Sequence, residues 1–85
     1  MHTVFLLMAQ YNSATVKLSD ICATYFGMSV QAANRMASLN KLPIASFRLG
    51  NSQKSPRLVH LQDLADYIDK KREEANRQWQ RSNSF

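Results

Sequence analysis

Gly27 limits the folds open to this chain more than any other residue. It follows a segment whose apolar residues recur at steps of three and four, the spacing of an amphipathic helix. Those residues are Ile21, Cys22, Tyr25 and Phe26. After Met28 alone, Ser29 is a preferred N-cap residue for a second helical segment. Two helices joined by so short a glycine turn predict a helix-turn-helix unit.

The boundaries of these two helices follow from capping residues. Ser19 is a candidate N-cap for the first helix, and Asp20 in its first turn interacts favourably with the helix dipole. The second helix is predicted to run from Ser29 to about Leu39. Asn40 can then adopt the left-handed conformation that glycine usually provides at a helix end.

Further helices are predicted on both sides of this unit. Thr3 to Tyr11 favours a short helix with Thr3 as N-cap, although a buried strand of that length has a similar pattern. A last helix is expected from Gln62, with an apolar stripe that fades after Ile68. Residues 77–85 are expected to form a polar, frayed tail.

Between the second and last helices the pattern changes to that of strands. Lys41-Leu42-Pro43 interrupts the helical pattern, and Phe47 to Leu49 and Leu58 to Leu61 are extended in character. The polar segment 50–56 between them predicts a hairpin tip. The predicted fold class is α+β and mainly helical: a winged helix-turn-helix with a two-stranded wing, flanked by N- and C-terminal helices, in one domain over residues 1–76.

The net charge of +5 is distributed unevenly. Residues 1–62 contain six Lys or Arg against Asp20 alone, whereas residues 63–85 contain five basic and five acidic residues. The whole excess therefore lies in the first three quarters of the chain, as expected when one face of a protein contacts a polyanion. Double-stranded DNA is the first candidate partner.

Other classes of function find little support in the residues. A lone Cys22 excludes an internal disulfide, and with only His2 and His60 there is no ligand spacing for zinc or another metal. No nucleophile and base pair or phosphate-binding glycine loop is present, so neither an enzyme nor a cofactor is expected. The longest apolar run, Val4 to Ala9, is too short to cross a membrane, and a cytoplasmic, nucleoid-associated protein is expected.

The second helix of the pair has one polar face. On a helical wheel its polar residues share an arc of about 100°, opposite an apolar face. They are Gln31, Asn34, Arg35 and Ser38. Gln and Asn can pair with adenine and Arg with guanine in a major groove, so this face predicts base recognition, although a solvated helix surface has the same pattern.

Cations are also placed on the predicted wing. Lys54 and Arg57 lie at the hairpin tip, and Arg48 can extend the same contact along a phosphate backbone. The basic run 70–72 alternates with acids, which favours a solvated face with salt bridges instead. The apolar run Phe5 to Met8 is either buried within the fold or part of a subunit interface. The isolated Trp79 is either exposed to solvent or an anchor for a partner.

Three blocks of the sequence resemble one known family. They are Phe5-Leu6-Leu7-Met8-Ala9-Gln10-Tyr11, Asp20-Ile21-Cys22 with Tyr25-Phe26-Gly27, and His60-Leu61-Gln62-Asp63-Leu64-Ala65-Asp66-Tyr67-Ile68-Asp69. In register over about residues 1 to 75, they resemble the pyocin activator protein (PrtN) family. This resemblance implies a small bacterial or prophage-borne DNA-binding regulator that activates bacteriocin genes.

The middle of the chain is also similar to winged-helix excisionases and MerR-type domains, through Ser29, Arg35 and Asn40-Lys41-Leu42-Pro43. That similarity implies that the second helix enters the major groove and that the wing contacts the backbone. The sequence departs from the pattern at Asn40, where Gly is common, and at Ala32 and Ala33, where Thr and Val are frequent. These departures leave the depth and tilt of the helix in its groove open. The candidate DNA-contacting residues are Ser29, Gln31, Ala32, Asn34, Arg35, Ser38, Arg48, Lys54 and Arg57.

The leading hypothesis is a sequence-specific, DNA-binding transcriptional activator of prophage or bacteriocin genes. A homodimer or higher homo-oligomer is expected, since so small a domain covers little DNA, and RNA polymerase is a candidate second partner. An excisionase-like factor that bends DNA would use the same surface. A small antirepressor or inhibitor that binds an acidic protein is the alternative from another class.

Overall fold

The computed structural model describes residues 2–52 and 54–83, and within them the chain forms four α-helices and two short β-strands. In chain order these are α1 (Thr3–Tyr11), β1 (Thr15–Lys17), α2 (Leu18–Phe26), α3 (Val30–Ser38), β2 (Leu58–His60) and α4 (Leu61–Ser82). The predicted mainly helical α+β class is confirmed.

The first segment is a helix and not the alternative buried strand. It ends where predicted, because Asn12 adopts a left-handed conformation with φ of 53°. The predicted cap is wrong, however, since His2 occupies the N-cap position and Thr3 is already helical. The Thr3 hydroxyl instead donates a hydrogen bond of 2.6 Å to Asp69 Oδ1, which ties α1 to α4.

Helix α2 begins one residue before the predicted cap, Ser19. Its first backbone N–H, that of Leu18, donates a hydrogen bond of 2.9 Å to the carbonyl oxygen of Arg57. This tertiary bond satisfies one of the N–H groups that a capping side chain would otherwise serve. The other end is as predicted, because Gly27 has φ of 64° and its N–H donates to the carbonyl of Cys22.

The predicted hairpin is the main error in the sequence-based fold. Strand β2 pairs antiparallel with β1, in the register Thr15 with His60, Val16 with Val59 and Lys17 with Leu58. The segment expected as the other wing strand contributes only an isolated bridge, in which Phe47 and Leu58 exchange backbone hydrogen bonds of 2.9 and 2.7 Å. The predicted two-stranded wing is therefore reduced to one bridged pair, and the winged architecture remains a hypothesis.

The register of that bridge explains why the hairpin stops there. Continued outward, antiparallel pairing from Phe47 and Leu58 would place Arg48 opposite Arg57. Like charges directly across a sheet are unfavourable. The next pair would set Leu49 against Pro56, which has no N–H to donate to the ladder.

The core lies where α1, α2, α3, the two strands and the first turns of α4 meet. The largest fully buried side chains are Leu18, Ile21, Leu61, Leu64, Val59 and Cys22. Burial of Cys22 was predicted from its place on the apolar stripe of α2. From Asp69 to Ser82 nearly every residue of α4 is exposed, so this half of the helix extends beyond the core.

The predicted frayed tail is helical as far as Ser82. Helix α4 has 22 residues and continues past residue 76 without a break. Charged neighbours support this exposed part, as in the ion pair of 3.7 Å between Lys71 and Glu74 one turn apart. The last part of the predicted tail, residues 84 and 85, lies outside the described residues.

The position of the core predicts that the same substitution at two leucines lowers the free energy of unfolding by different amounts. Leu64→Ala should lower the free energy of unfolding by about 2–5 kcal/mol, because it leaves a cavity at a side chain that is 0% exposed. Leu49→Ala, at a side chain 79% exposed, should change it by less than about 0.5 kcal/mol. Urea unfolding followed by helical circular dichroism measures both, and equal losses would contradict this placement of the core.

Candidate nucleic-acid interface

Local capping sets the position of α3. The Ser29 side chain accepts a hydrogen bond of 3.2 Å from the N–H of Ala32, so the predicted N-cap is confirmed. At the other end Asn40 adopts the predicted left-handed conformation, with φ of 55°. With Gly27 ending α2, these residues fix both ends of α3 and its packing against α2.

Helix α3 has one buried and one exposed face. Ala33 and Ala37 are buried in the core, whereas Gln31, Asn34 and Arg35 are exposed. The small alanine side chains let α3 lie close to the core while the longer polar side chains extend outward. The predicted two-faced helix is confirmed, although Val30 at its start is 45% exposed.

The loop between the bridge and β2, residues 48–57, is called the basic loop here. Arg48 Nε donates a hydrogen bond of 3.0 Å to the carbonyl oxygen of Ser55, which joins the two sides of the loop. Ser52 Oγ accepts a hydrogen bond of 3.1 Å from the N–H of Lys54. Lys54 is exposed, whereas residue 53 of the predicted tip lies outside the described residues.

Arg57 occupies a different position from the one predicted. It is half-buried, and its Nη2 donates a hydrogen bond of 3.2 Å to Ser38 Oγ on α3. Ser38 Oγ in turn donates one of 3.0 Å to the carbonyl oxygen of Asn34. These bonds link the basic loop to α3, and the DNA contacts of Arg57 and Ser38 remain predictions.

A cavity of about 230 Å³ lies between α3, the basic loop and the start of α2, and is called the basic cavity here. It is lined by Leu18, Ser19, Asn34, Arg48, Lys54, Ser55, Pro56 and Arg57. Three of these side chains are cationic and none is acidic. The fold therefore concentrates positive charge beside the polar face of α3.

Eight of the nine predicted residues line one of two cavities. Asn34 lines the basic cavity with the three loop cations. Ser29, Gln31, Ala32 and Arg35 line a second, shallow cavity on the N-terminal part of the same helix. Ser38, the ninth residue, joins α3 to the basic loop through the hydrogen bond that it accepts from Arg57.

Sequence reasoning missed the contribution of α2. Leu18 and Ser19 line the basic cavity at the start of this helix. The hydrogen bond between Leu18 and Arg57 brings the start of α2 to the cavity. These two residues are far apart in sequence, so no local pattern indicated this contact.

The remaining chemistry of the described residues is limited. Across residues 2–52 and 54–83, no cluster of His, Cys, Asp and Glu side chains has the geometry of a metal site. In the same part of the chain, no helix combines the length and apolar composition needed to cross a membrane.

Comparison with known proteins identifies a family for this chain. The family model of the pyocin activator protein PrtN matches residues 3–75. The chain belongs to the pyocin activator family, which comprises regulators and is not a known enzyme family. Neither the curated proteins nor the solved structures contain a significant match. Membership suggests a regulator that activates prophage or pyocin genes.

The capping bond at the start of α3 gives a test of how this helix is held. Ser29→Ala should lower the free energy of unfolding by about 1 kcal/mol, because the N–H of Ala32 loses its acceptor. Ser29→Asn should retain nearly wild-type stability, since asparagine caps as well as serine. Thermal or urea unfolding compares the two, and an asparagine variant as unstable as the alanine variant would contradict the capping role.

Proposed function

We propose that this protein is a sequence-specific, double-stranded DNA-binding transcriptional activator of prophage or pyocin genes. It binds through a winged helix-turn-helix in which α3 enters the major groove and the basic loop contacts the adjacent backbone. The observation that carries this proposal is the juxtaposition of Asn34 with Arg48, Lys54 and Arg57 around one cavity, next to exposed Gln31 and Arg35.

The exposed face of α3 has the side chains needed to recognise bases. Arg35 can donate two hydrogen bonds to guanine O6 and N7, and Gln31 can pair with adenine N6 and N7. Both side chains are exposed, and both lie in the first two turns of α3. In helix-turn-helix proteins the N-terminal part of the second helix makes the base contacts.

The basic loop supports a different kind of contact. Lys54 is exposed in a loop whose two sides are joined by the Arg48 to Ser55 hydrogen bond. A cation held in this way contacts phosphates whatever the base sequence. The loop therefore contributes affinity and orientation, while α3 contributes sequence preference.

Partners beyond DNA follow from the size of the domain and its exposed apolar residues. A single small module covers roughly 600–1,000 Å² of its own surface on DNA, so paired copies increase affinity. Phe5 and Leu6 on α1 are 57% and 54% exposed, and Trp79 on α4 is 65% exposed. These exposed side chains support homo-oligomerisation. As a transcriptional activator the protein would also contact RNA polymerase, and it would act at the nucleoid in the cytoplasm.

The experiment that tests this function is selection of duplexes from a random library of about 20 base pairs, two helical turns. The enriched sequence is then compared with a scrambled duplex by fluorescence anisotropy at several salt concentrations. We expect at least a tenfold preference, which corresponds to about 1.4 kcal/mol. Absence of any enriched sequence, or equal binding to the enriched and the scrambled duplex, would contradict sequence-specific recognition.

Two variants that each remove one positive charge separate base recognition from backbone contact. Arg35→Ala should weaken binding to the enriched duplex by about 1–3 kcal/mol and leave binding to the scrambled duplex nearly unchanged. Lys54→Ala should weaken both duplexes similarly and lower the steepness of the salt dependence by about one unit. Arg72→Ala, in the exposed half of α4, is the matched control and should change neither.

Equal effects of the Arg35 and Lys54 substitutions on every duplex would remove base recognition from α3. An effect of Arg72→Ala as large as that of Lys54→Ala would mean that α4, rather than the basic loop, contacts the backbone.

A further inference from the structure

We propose that the basic cavity is a binding site for a single phosphate group of the DNA backbone. The proposal rests on the function proposed above and adds to it one defined anion site per chain. This site fixes the position of α3 along the groove, because α3 and the basic loop both form its walls.

The charge of the cavity wall is the first argument. Arg48, Lys54 and Arg57 surround about 230 Å³, and no acidic side chain is among the lining residues. Cations that lie close together without a carboxylate repel one another, and a bound anion offsets this repulsion by attracting each of them. At about 30 Å³ per water molecule, the volume is that of roughly eight waters, which is ample for a phosphate group.

A buried donor without a partner is the second and independent argument. Among the described residues, Arg57 Nε is a buried side-chain nitrogen with no hydrogen-bond partner. Its neighbour Nη2 is bonded to Ser38 Oγ, which anchors one edge of the guanidinium beside the cavity. An unsatisfied charged donor is costly when buried, and a small shift of the Arg57 side chain that brings Nε to a phosphate oxygen removes this cost.

The start of α2 adds backbone N–H donors to the same site, next to the negative charge of Asp20 in its first turn. Helix α2 has nine residues, and its N-cap residue Lys17 makes no side-chain capping bond. The Leu18 N–H is bonded to the carbonyl oxygen of Arg57. The next N–H groups of the first turn, as in any helix, have no intrahelical partners. Ser19, which lines the cavity, carries one of these groups at the positive end of the helix dipole.

Occupation of this site divides the polar face of α3. Asn34 shares the cavity with the phosphate, whereas Gln31 and Arg35 line the separate shallow cavity and remain available for bases. The proposal therefore assigns Asn34 to the backbone contact and leaves sequence preference to Gln31 and Arg35.

The experiment follows the Nε–Hε signals of arginine by ¹⁵N NMR of the intact protein in a buffer without phosphate. The first probe is an arbitrary duplex of about ten base pairs, one helical turn. We expect the signals of Arg48 and Arg57 to shift and the Arg57 proton to exchange more slowly with water. The signal of Arg72, exposed on α4, should stay in place.

Two further probes separate the possible sources of the anion. A duplex of the same sequence with neutral methylphosphonate linkages should produce no shift of Arg57. Inorganic phosphate should shift Arg57 at a higher concentration than the duplex does, because it lacks the other contacts. A shift of Arg57 that the neutral duplex reproduces would overturn the phosphate assignment.

The outcomes distinguish this site from the proposed function. Duplex binding detected by anisotropy with no change at Arg57 would overturn the phosphate site and leave DNA binding intact. Absence of duplex binding would contradict the proposed function, and the titration with inorganic phosphate would then be the test of the anion site. A shift of the Arg57 signal with inorganic phosphate would support the anion site, and no shift would overturn it.

A matched pair of variants gives a second readout that does not depend on NMR. Arg48→Gln should lower the steepness of the salt dependence by about one unit, since one counterion-releasing contact is lost. Arg72→Gln removes the same charge from α4 and should leave the slope unchanged. Equal slopes for Arg48→Gln and the wild type would overturn the participation of Arg48 in the site.

Discussion

The short pairing of β1 with β2 is the contact on which the rest of the structure depends. Val16 and Val59 face one another in this ladder and are 7% and 0% exposed. The pairing joins segments more than forty residues apart in sequence and places Arg57 beside the first residue of α2. As a result the basic loop lies against α2 and α3, and α4 begins directly after β2 at Leu61.

Much of the helical structure could be predicted from the sequence because local residues determine it. Gly27 and Asn40 adopt the left-handed conformations that end helices, and Ser29 makes the capping bond expected of it. The last helix begins at Leu61, one residue before the predicted start, after His60 ends β2 and caps α4 by accepting a hydrogen bond from the N–H of Gln62. The exposed face of α3 follows from helical periodicity alone.

The features that sequence reasoning missed depend on contacts between distant segments. Strand β1 has only three residues, and its strand character comes from pairing with β2 rather than from its own composition. The bond between Arg57 and Ser38 links positions 19 residues apart, so no local pattern indicated that these two residues also hold the loop to α3. The hairpin was overestimated because the pattern of apolar residues did not reveal that Arg48 and Leu49 would face Arg57 and Pro56.

The central claim is that α3 and the basic loop together form the DNA-binding surface of this pyocin activator family member. Amide hydrogen exchange, measured by mass spectrometry with and without the enriched duplex, tests it most directly, because it compares all segments in one experiment. The account predicts slower exchange on DNA binding in residues 18–20, 30–38 and 48–57, with no change in residues 70–82. Slower exchange confined to α1 or to the exposed half of α4 would contradict it.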